Sequence, residues 1–431
     1  MKILLSAYAC APQMGSDPGI GWQWAVHLAQ AGHDVTALTR NANRTAIETF
    51  LATHPMASVD AGRLRFAYYD LPRWASFWKK GYRGIHLYYF LWQVGAFWRA
   101  RALHRAEQFD CAHHATFVSA RQPSFMGLLG IPFIFGPVGG GETSPWQLRE
   151  GFPSKGWAWE LMRDLSNRWA QVDPLMRLTF ASAERIWAGT GETLRLIPAR
   201  YHPKTALMPL AALTASEAAG VPASAPIEAT CDARPFRLLC VSRLWYWKGV
   251  HLALEAVAQL ALRGVPCHFT IVGEGPQAAW LRGRSRALGL DHHPHAQIEW
   301  IPRLPREELL CRYADYDAFV FPSLHDSGGF VALEAMAAGL PVLCWNLGGP
   351  GVMVNNACGR RIDVNRLSKR QAVSRLVEAL AELAASPDLR ATLAEGARRC
   401  AAQFQWSALV AQAYPLTQDC PQPVIGAQKR A

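Results

Sequence analysis

Charge is scarce in this 431-residue chain. Charged residues make up 18% of it and apolar residues 50%, a balance that excludes a disordered or low-complexity protein and describes a well-buried globular one. Paired cysteines are absent. The 10 cysteines are scattered and none forms a Cys-x-x-Cys pair, which argues against a zinc ribbon, a thioredoxin site or a disulfide framework and fits reduced thiols. Acids are missing from a long stretch, Leu71–Arg105, which holds seven basic residues and ten large aromatics. Over the whole chain 44 basic residues against 33 acidic give a net charge of +11, which favours anionic partners without choosing among them. The opening "MKILLSAYACAP" has too short an apolar stretch for a signal and reads as a buried first strand followed by a turn.

The length suits two domains of about 200 residues each. "KILLSAY" (Lys2–Tyr8) reads as a strand, "APQMGSDPGIG" as a glycine-rich break, "WQWAVHLAQAG" (Trp22–Gly32) as a helix and "HDVTALTR" as the next strand. The pattern returns with a strand at Phe236–Leu244, a helix at Val250–Gly264, a strand at Cys267–Gly273 and another at Ala318–Ser323. Strand, loop, helix, strand, twice over, predicts an α/β protein with two Rossmann-like domains facing across a cleft. The stretch Ala215–Pro235, rich in Ala, Pro and Ser, reads as a linker or loose loop. The expected units are residues 1–205, residues 206–395, and a segment 396–431 whose helix returns to the first unit and whose tail, after about Tyr414, is frayed. Ligands of open α/β sheets bind at the C-terminal ends of the strands, here in the cleft.

Two constellations carry chemistry. In "SLHDSGGFVALEAMAAGLPV" a strand runs into a glycine turn and a short helix, with Asp326 before the turn and Glu334 one turn into the helix. A helix N-terminus suits an anion, Gly328 and Gly329 let the backbone approach a ligand, and the two acids suit hydroxyl groups. Alternatively Asp326 only caps the helix and Glu334 adds a favourable charge. In "VSRLWYWKG", Arg243 ends a strand and Lys248 follows in the turn, a pair that can neutralise a diphosphate or simply be solvated.

Together "VSRLWYWKG", "IVGEGP", "FVFPSLHDSGGFVALEAMAAGLPV" and the N-terminal "GSDPGIGW" with "AGHDVTALTR" make the chain resemble the family-4 retaining glycosyltransferases of the GT-B fold. The resemblance runs from Lys2 to about Tyr414. It implies a nucleotide-sugar donor on the C-terminal domain and an acceptor on the N-terminal one. Arg243 and Lys248 would hold the donor diphosphate. Asp326, with Ser327, Gly328, Gly329 and Phe330, would hold the sugar, and Glu334 the ribose hydroxyls. Gly19 and Gly21 would approach the phosphates, and "GEGPQA", with Gly273 and Glu274, would form a turn flanking the nucleotide. No cofactor and no catalytic metal are implied. The first acid is usually Glu in this family, so Asp326 is one methylene short. A catalytic histidine expected after the mid-domain strand "PFIF" is missing there. His113, with His114 beside it, is the nearest candidate, and Glu142 a further one.

The implied activity is transfer of a sugar, with retention, to a lipid-linked or polysaccharide acceptor, in exopolysaccharide or lipopolysaccharide biosynthesis. The rivals are a sugar-nucleotide 2-epimerase of the same fold and a non-catalytic membrane-associated partner protein. The acid-free stretch, with Arg73, Lys79, Lys80, Arg83, Arg99, Arg101 and Arg105 among Trp74, Phe77, Trp78, Tyr82, Trp92 and Trp98, is too short between charges to span a bilayer. It suits peripheral contact with anionic lipid on the cytoplasmic face of the inner membrane. No nucleic-acid-binding fold is recognisable.

Overall fold

The computed structural model describes residues 1–54, 62–79, 81, 84–117, 119–220 and 234–414. The predicted Lys80, Tyr82 and Arg83, most of the linker (221–233) and the tail beyond Tyr414 lie outside the described residues.

Two parallel sheets organise the chain. The first holds β1 (Lys2–Ala7), β2 (Asp34–Thr39), β3 (Leu64–Tyr68), β4 (Cys111–Thr116), β5 (Phe133–Val138), β6 (Arg185–Ala188) and β7 (Thr205–Leu207), in the order β3-β2-β1-β4-β5-β6-β7. The second holds β8 (Phe236–Val241), β9 (Cys267–Val272), β10 (Ala296–Ile301), β11 (Ala318–Phe321), β12 (Val342–Trp345) and β13 (Gly359–Ile362), in the order β10-β9-β8-β11-β12-β13. In both, the order reverses beside the first strand, which opens a crevice at the strand ends. Every residue of β4, β5, β11 and β12 is buried, as expected of parallel strands covered on both faces. This is the two-domain GT-B arrangement.

The helices that shape the cleft are α1 (Ser16–Gln30), α2 (Ile85–Glu107), α3 (Ser154–Ala170), α4 (Val250–Leu262), α5 (Phe330–Ala337) and α6 (Trp406–Ala413). α1 begins well before the predicted Trp22. Pro18 does not stop it, because a first-turn N–H has no helical partner to lose. Gly19 and Gly21 therefore sit inside the helix, not in a loop. A Cβ on Gly19 would lie 2.0 Å from the Met14 carbonyl oxygen, and one on Gly21 would lie 2.1 Å from that of Ala9. Both glycines let α1 close against the chain leaving β1. The predicted turn at "GEGPQA" is present: Pro276 lies in it, and the next helix starts at Ala278.

The return segment knits the two halves together. Leu213, leaving the first unit, pairs with Gln405 on the way back: Leu213 N–H donates to Phe404 O at 2.9 Å and Trp406 N–H donates to Leu213 O at 3.1 Å. α6 then buries Trp406, Leu409, Val410 and Ala413 in the first core beside Trp24 and Leu28 of α1. The opposite exchange occurs at Leu148 and Phe152. They precede α3 in the first unit yet bury in the second core with Leu252 and Leu254 of α4.

Candidate active site between the two sheets

A cavity of about 820 Å³ opens between the sheets, lined by Gly19, Arg243, Lys248, Asp326, Gly329, Phe330 and Glu334 among others. A second cavity of about 390 Å³ continues it toward the first domain. It shares Arg243, Lys248, Asp326 and Phe330 and adds Ser327 and Gly328. Most of the predicted residues thus converge on one crevice.

Lys248 and Asp326 pair directly, Nζ to Oδ2. The other Asp326 oxygen accepts N–H bonds from Gly328 at 3.1 Å and Gly329 at 2.9 Å. Gly329 has φ 69°, the left-handed turn that lets α5 start at Phe330. Burial opposes ionisation of Asp326, but the Lys248 charge and hydrogen bond and the two backbone donors outweigh it, so its carboxyl lies below the usual range. Asp326 is therefore a loop anchor as well as a cleft residue, and it already occupies two backbone donors of the turn. Arg243, by contrast, is exposed at the cleft wall and lines both cavities.

Glu334 is buried, and Arg306 closes on it: Nη2 lies 2.8 Å from Oε1. Arg306 also binds Glu217 at 2.7 Å, and both residues line the larger cavity. Burial raises the Glu334 carboxyl pKa despite Arg306. Nothing in the local sequence pointed to Arg306, 28 positions from Glu334, or to the still more distant Glu217.

The first domain contributes two acids, the candidate Glu142 and Glu160, which the sequence reading does not single out. Both oxygens of buried Glu142 are committed. Oε1 accepts from Thr190 at 2.7 Å and Thr193 at 3.0 Å, and Oε2 accepts from Gly140 N–H at 2.8 Å and from Ser327 of the second domain at 2.7 Å. Glu160, on α3, accepts from His325 Nε2 at 3.0 Å. Burial would raise the Glu160 pKa, but the His325 hydrogen bond and charge, with Arg163, hold it at about 2. Burial also lowers the His325 pKa, while the Glu160 hydrogen bond and charge pull it up. His325 stacks on Trp247, with ring centroids 5.3 Å apart. A third bridge runs from Gly348 N–H to Glu192 at 3.1 Å.

Five predicted residues lie elsewhere. His113 is fully buried inside β4, not at a strand end. Its Nε2 faces Gly136 O at 2.5 Å and its Nδ1 the Tyr414 hydroxyl at 2.8 Å, and burial lowers its pKa to about 4. It is a core residue under the C-terminal helix. His114 is also buried, beside Tyr89. Gly21 packs on Ala9. Gly273 and Glu274 follow β9 outside the cavity lining, where Glu274 O accepts from Leu244 N–H at 2.8 Å and a Cβ on Gly273 would strike Ser242 O. The chain's Asp-x-Asp triplet, Asp315–Asp317, precedes β11 at the end away from the cleft, and Asp317 is paired with Arg234. Among the described residues no group of three or more His, Cys, Asp or Glu is placed to hold a metal ion.

The basic aromatic stretch divides. Tyr88, Tyr89 and Trp92 of α2 are buried in the first domain, whereas Trp74 is 79%, Phe77 77% and Trp98 59% exposed. α3 adds exposed Trp159, Met162, Leu165 and Trp169. No helix among the described residues is long and apolar enough to cross a membrane.

Parts of the sequence and the fold are shared with known proteins. Residues 229–400 match the family model for glycosyl transferases group 1. The chain is 40% identical over 122 residues to glycogen synthase of Mycobacterium tuberculosis, covering 28% of each. It is 30% identical over 190 residues to D-inositol 3-phosphate glycosyltransferase of Corynebacterium urealyticum, covering 42% of each. The matches thus span between a quarter and under half of these relatives' lengths. Anabaena HepE, solved in complex with UDP and glucose, superposes with a TM-score of 0.54 at 16% identity over 96% of this chain and 98% of its own. Residues 229–400 are thus similar in sequence to the group 1 glycosyl transferases, and the described residues have the two-sheet GT-B fold.

Proposed function

We propose that the protein is a retaining glycosyltransferase that moves a sugar from a nucleoside-diphosphate donor to a hydroxyl of a lipid-linked or polysaccharide acceptor. The observation that carries this reading is the convergence of Arg243, Lys248, Asp326 and Glu334 on one cavity between the sheets. Arg243 and Lys248 neutralise the leaving diphosphate, and Glu334, held by Arg306, takes the ribose diol. In transfer, the bond from the anomeric carbon to the phosphate oxygen breaks and a bond to the acceptor oxygen forms. The acceptor proton passes to the departing phosphate. Positioning and stabilisation of that leaving group supply most of the rate. Asp326 is spent on Lys248 and two backbone N–H groups, so it is poorly placed as a nucleophile, which supports same-face displacement over a covalent intermediate. The cationic pair stands where a metal would otherwise neutralise phosphate, and activity independent of metal is part of the reading.

The setting we propose is cell-surface polysaccharide or lipopolysaccharide assembly, with the protein resting on the cytoplasmic membrane face. Exposed Trp74, Phe77 and Trp98, with Arg73, Arg99, Arg101 and Arg105 near them in sequence, support that contact. Calorimetric titration with nucleoside diphosphates, followed by donor screening with and without acceptor, tests the function. Binding that is lost in Arg243→Ala and Lys248→Ala supports it. Binding unchanged in both variants would favour a non-catalytic partner, and an epimerised donor formed without acceptor would favour the epimerase.

A further inference from the structure

The smaller cavity holds a second basic pair that the donor does not use. Arg121, in the loop after β4, and Arg163, on α3, both line it, opposite Asp326, Ser327 and Gly328. Both are only partly exposed. Among the described residues no hydrogen bond or ion pair reaches the Arg121 guanidinium, and Arg163 makes only a 3.5 Å contact with Glu142 O. The neighbouring acids do not offset them by bonding. Glu142 spends both oxygens on Thr190, Thr193, Gly140 N–H and Ser327, and Glu160 spends its own on His325 and Ser144 N–H. Burial and the proximity of Arg163 lower the Arg121 pKa to about 10. Asp17 also lines the cavity, and burial raises its carboxyl to about 6, which leaves it an acceptor for a sugar hydroxyl. The Glu142 and Glu160 charges act on Arg121 through space, but among the described residues their carboxylates bond to neither guanidinium, which leaves both forks open to an oxyanion. Arginine's planar fork suits carboxylate and phosphate alike. A volume of about 390 Å³ admits one sugar residue.

We infer that Arg121 and Arg163 form an oxyanion subsite for the acceptor, so that the hydroxyl to be glycosylated belongs to a sugar carrying a carboxylate or a phosphoryl group. This rests on the glycosyltransferase reading and deepens it by naming the acceptor class.

The test is titration of the full chain, saturated with the nucleoside diphosphate it prefers, with methyl glucoside, methyl glucuronide and glucose 6-phosphate. The expected result is at least tenfold tighter binding of one or both charged sugars, with the two arms distinguishing carboxylate from phosphoryl. Arg121→Gln and Arg163→Gln should each remove that preference and leave nucleoside-diphosphate affinity within about twofold. Arg121→Lys should restore part of it, which a merely destabilised variant would not do. Equal affinity for charged and neutral sugars, or a preference unchanged in both Gln variants, overturns the subsite. Loss of nucleoside-diphosphate affinity in Arg121→Gln overturns it too, by assigning Arg121 to the donor. Wild-type protein that binds no nucleoside diphosphate overturns the glycosyltransferase reading itself, and the acceptor assignment with it.

Discussion

The Ser327 hydroxyl, on the turn between β11 and α5, donates a 2.7 Å hydrogen bond to Glu142 across the domain boundary. With His325–Glu160 and Gly348–Glu192, it fastens the segments that follow β11 and β12 to the first domain. Ser327→Ala removes one buried donor, and Glu142→Ala removes four acceptances at once. The expectation is a loss of about 1 kcal/mol for the serine variant and several for the glutamate. A double-mutant cycle on thermal stability and on transfer rate should return a coupling of about 1 kcal/mol, whereas additive effects would show that the bridge carries no energy.

Removing the cations of the cleft should weaken the diphosphate most. Charge-assisted bonds to phosphate contribute about 1.5–3 kcal/mol, so Arg243→Ala and Lys248→Met should each raise the nucleoside-diphosphate dissociation constant by roughly 10- to 100-fold. The two should differ in stability. Lys248→Met leaves the Asp326 carboxylate with backbone donors only and should lower the melting temperature, while exposed Arg243 has no such partner to strand among the described residues.

Arg306 acts through Glu334. Its guanidinium orients that buried carboxylate and opposes the upward pull of burial on its pKa. Arg306→Ala should reduce the preference for a ribonucleoside diphosphate over its 2′-deoxy counterpart by about tenfold, measured as a ratio of affinities. A uniform loss on both ligands would instead make Arg306 a general contact.

His113 supplies a pH signature. Burial lowers its pKa from 6.5 to about 4, so folding favours the neutral ring. The stability it contributes is fully present above pH 6.5 and is lost as pH falls through about 4. That window corresponds to about 3 kcal/mol at most. Thermal melts across it should show a steeper decline for wild type than for His113→Asn.

Membrane contact has a direct readout. Trp74→Ala with Phe77→Ala should reduce flotation with vesicles containing anionic lipid and leave nucleoside-diphosphate binding intact. Trp159→Ala with Trp169→Ala, on α3, reports whether that exposed face takes part.

Much of this was legible in the sequence because it is local. Strand periods, the glycine turn at 328–329 and the acids on either side of it are set by residues within one turn of each other, and the cleft follows from repeating the α/β unit. What could not be read depends on distant partners. Arg306 meets Glu334 through the fold of the second sheet, and Glu142 meets Ser327 across 185 positions. His113 misled for a related reason. A histidine near a strand end looks the same in sequence whether the strand stops before it or continues past it, and Tyr414, which covers it, lies 301 residues away. The glycines of α1 misled because glycine serves close packing as readily as a loop.

The reach of α6 into the first core sets an order on synthesis. Residues that finish the hydrophobic interior around Trp24 leave the ribosome after the whole second sheet has been made. The first sheet must therefore wait, partly uncovered, until the second is complete. A chain truncated before Trp406 should yield an N-terminal half that aggregates, and supplying the missing helix as a separate peptide should rescue its solubility.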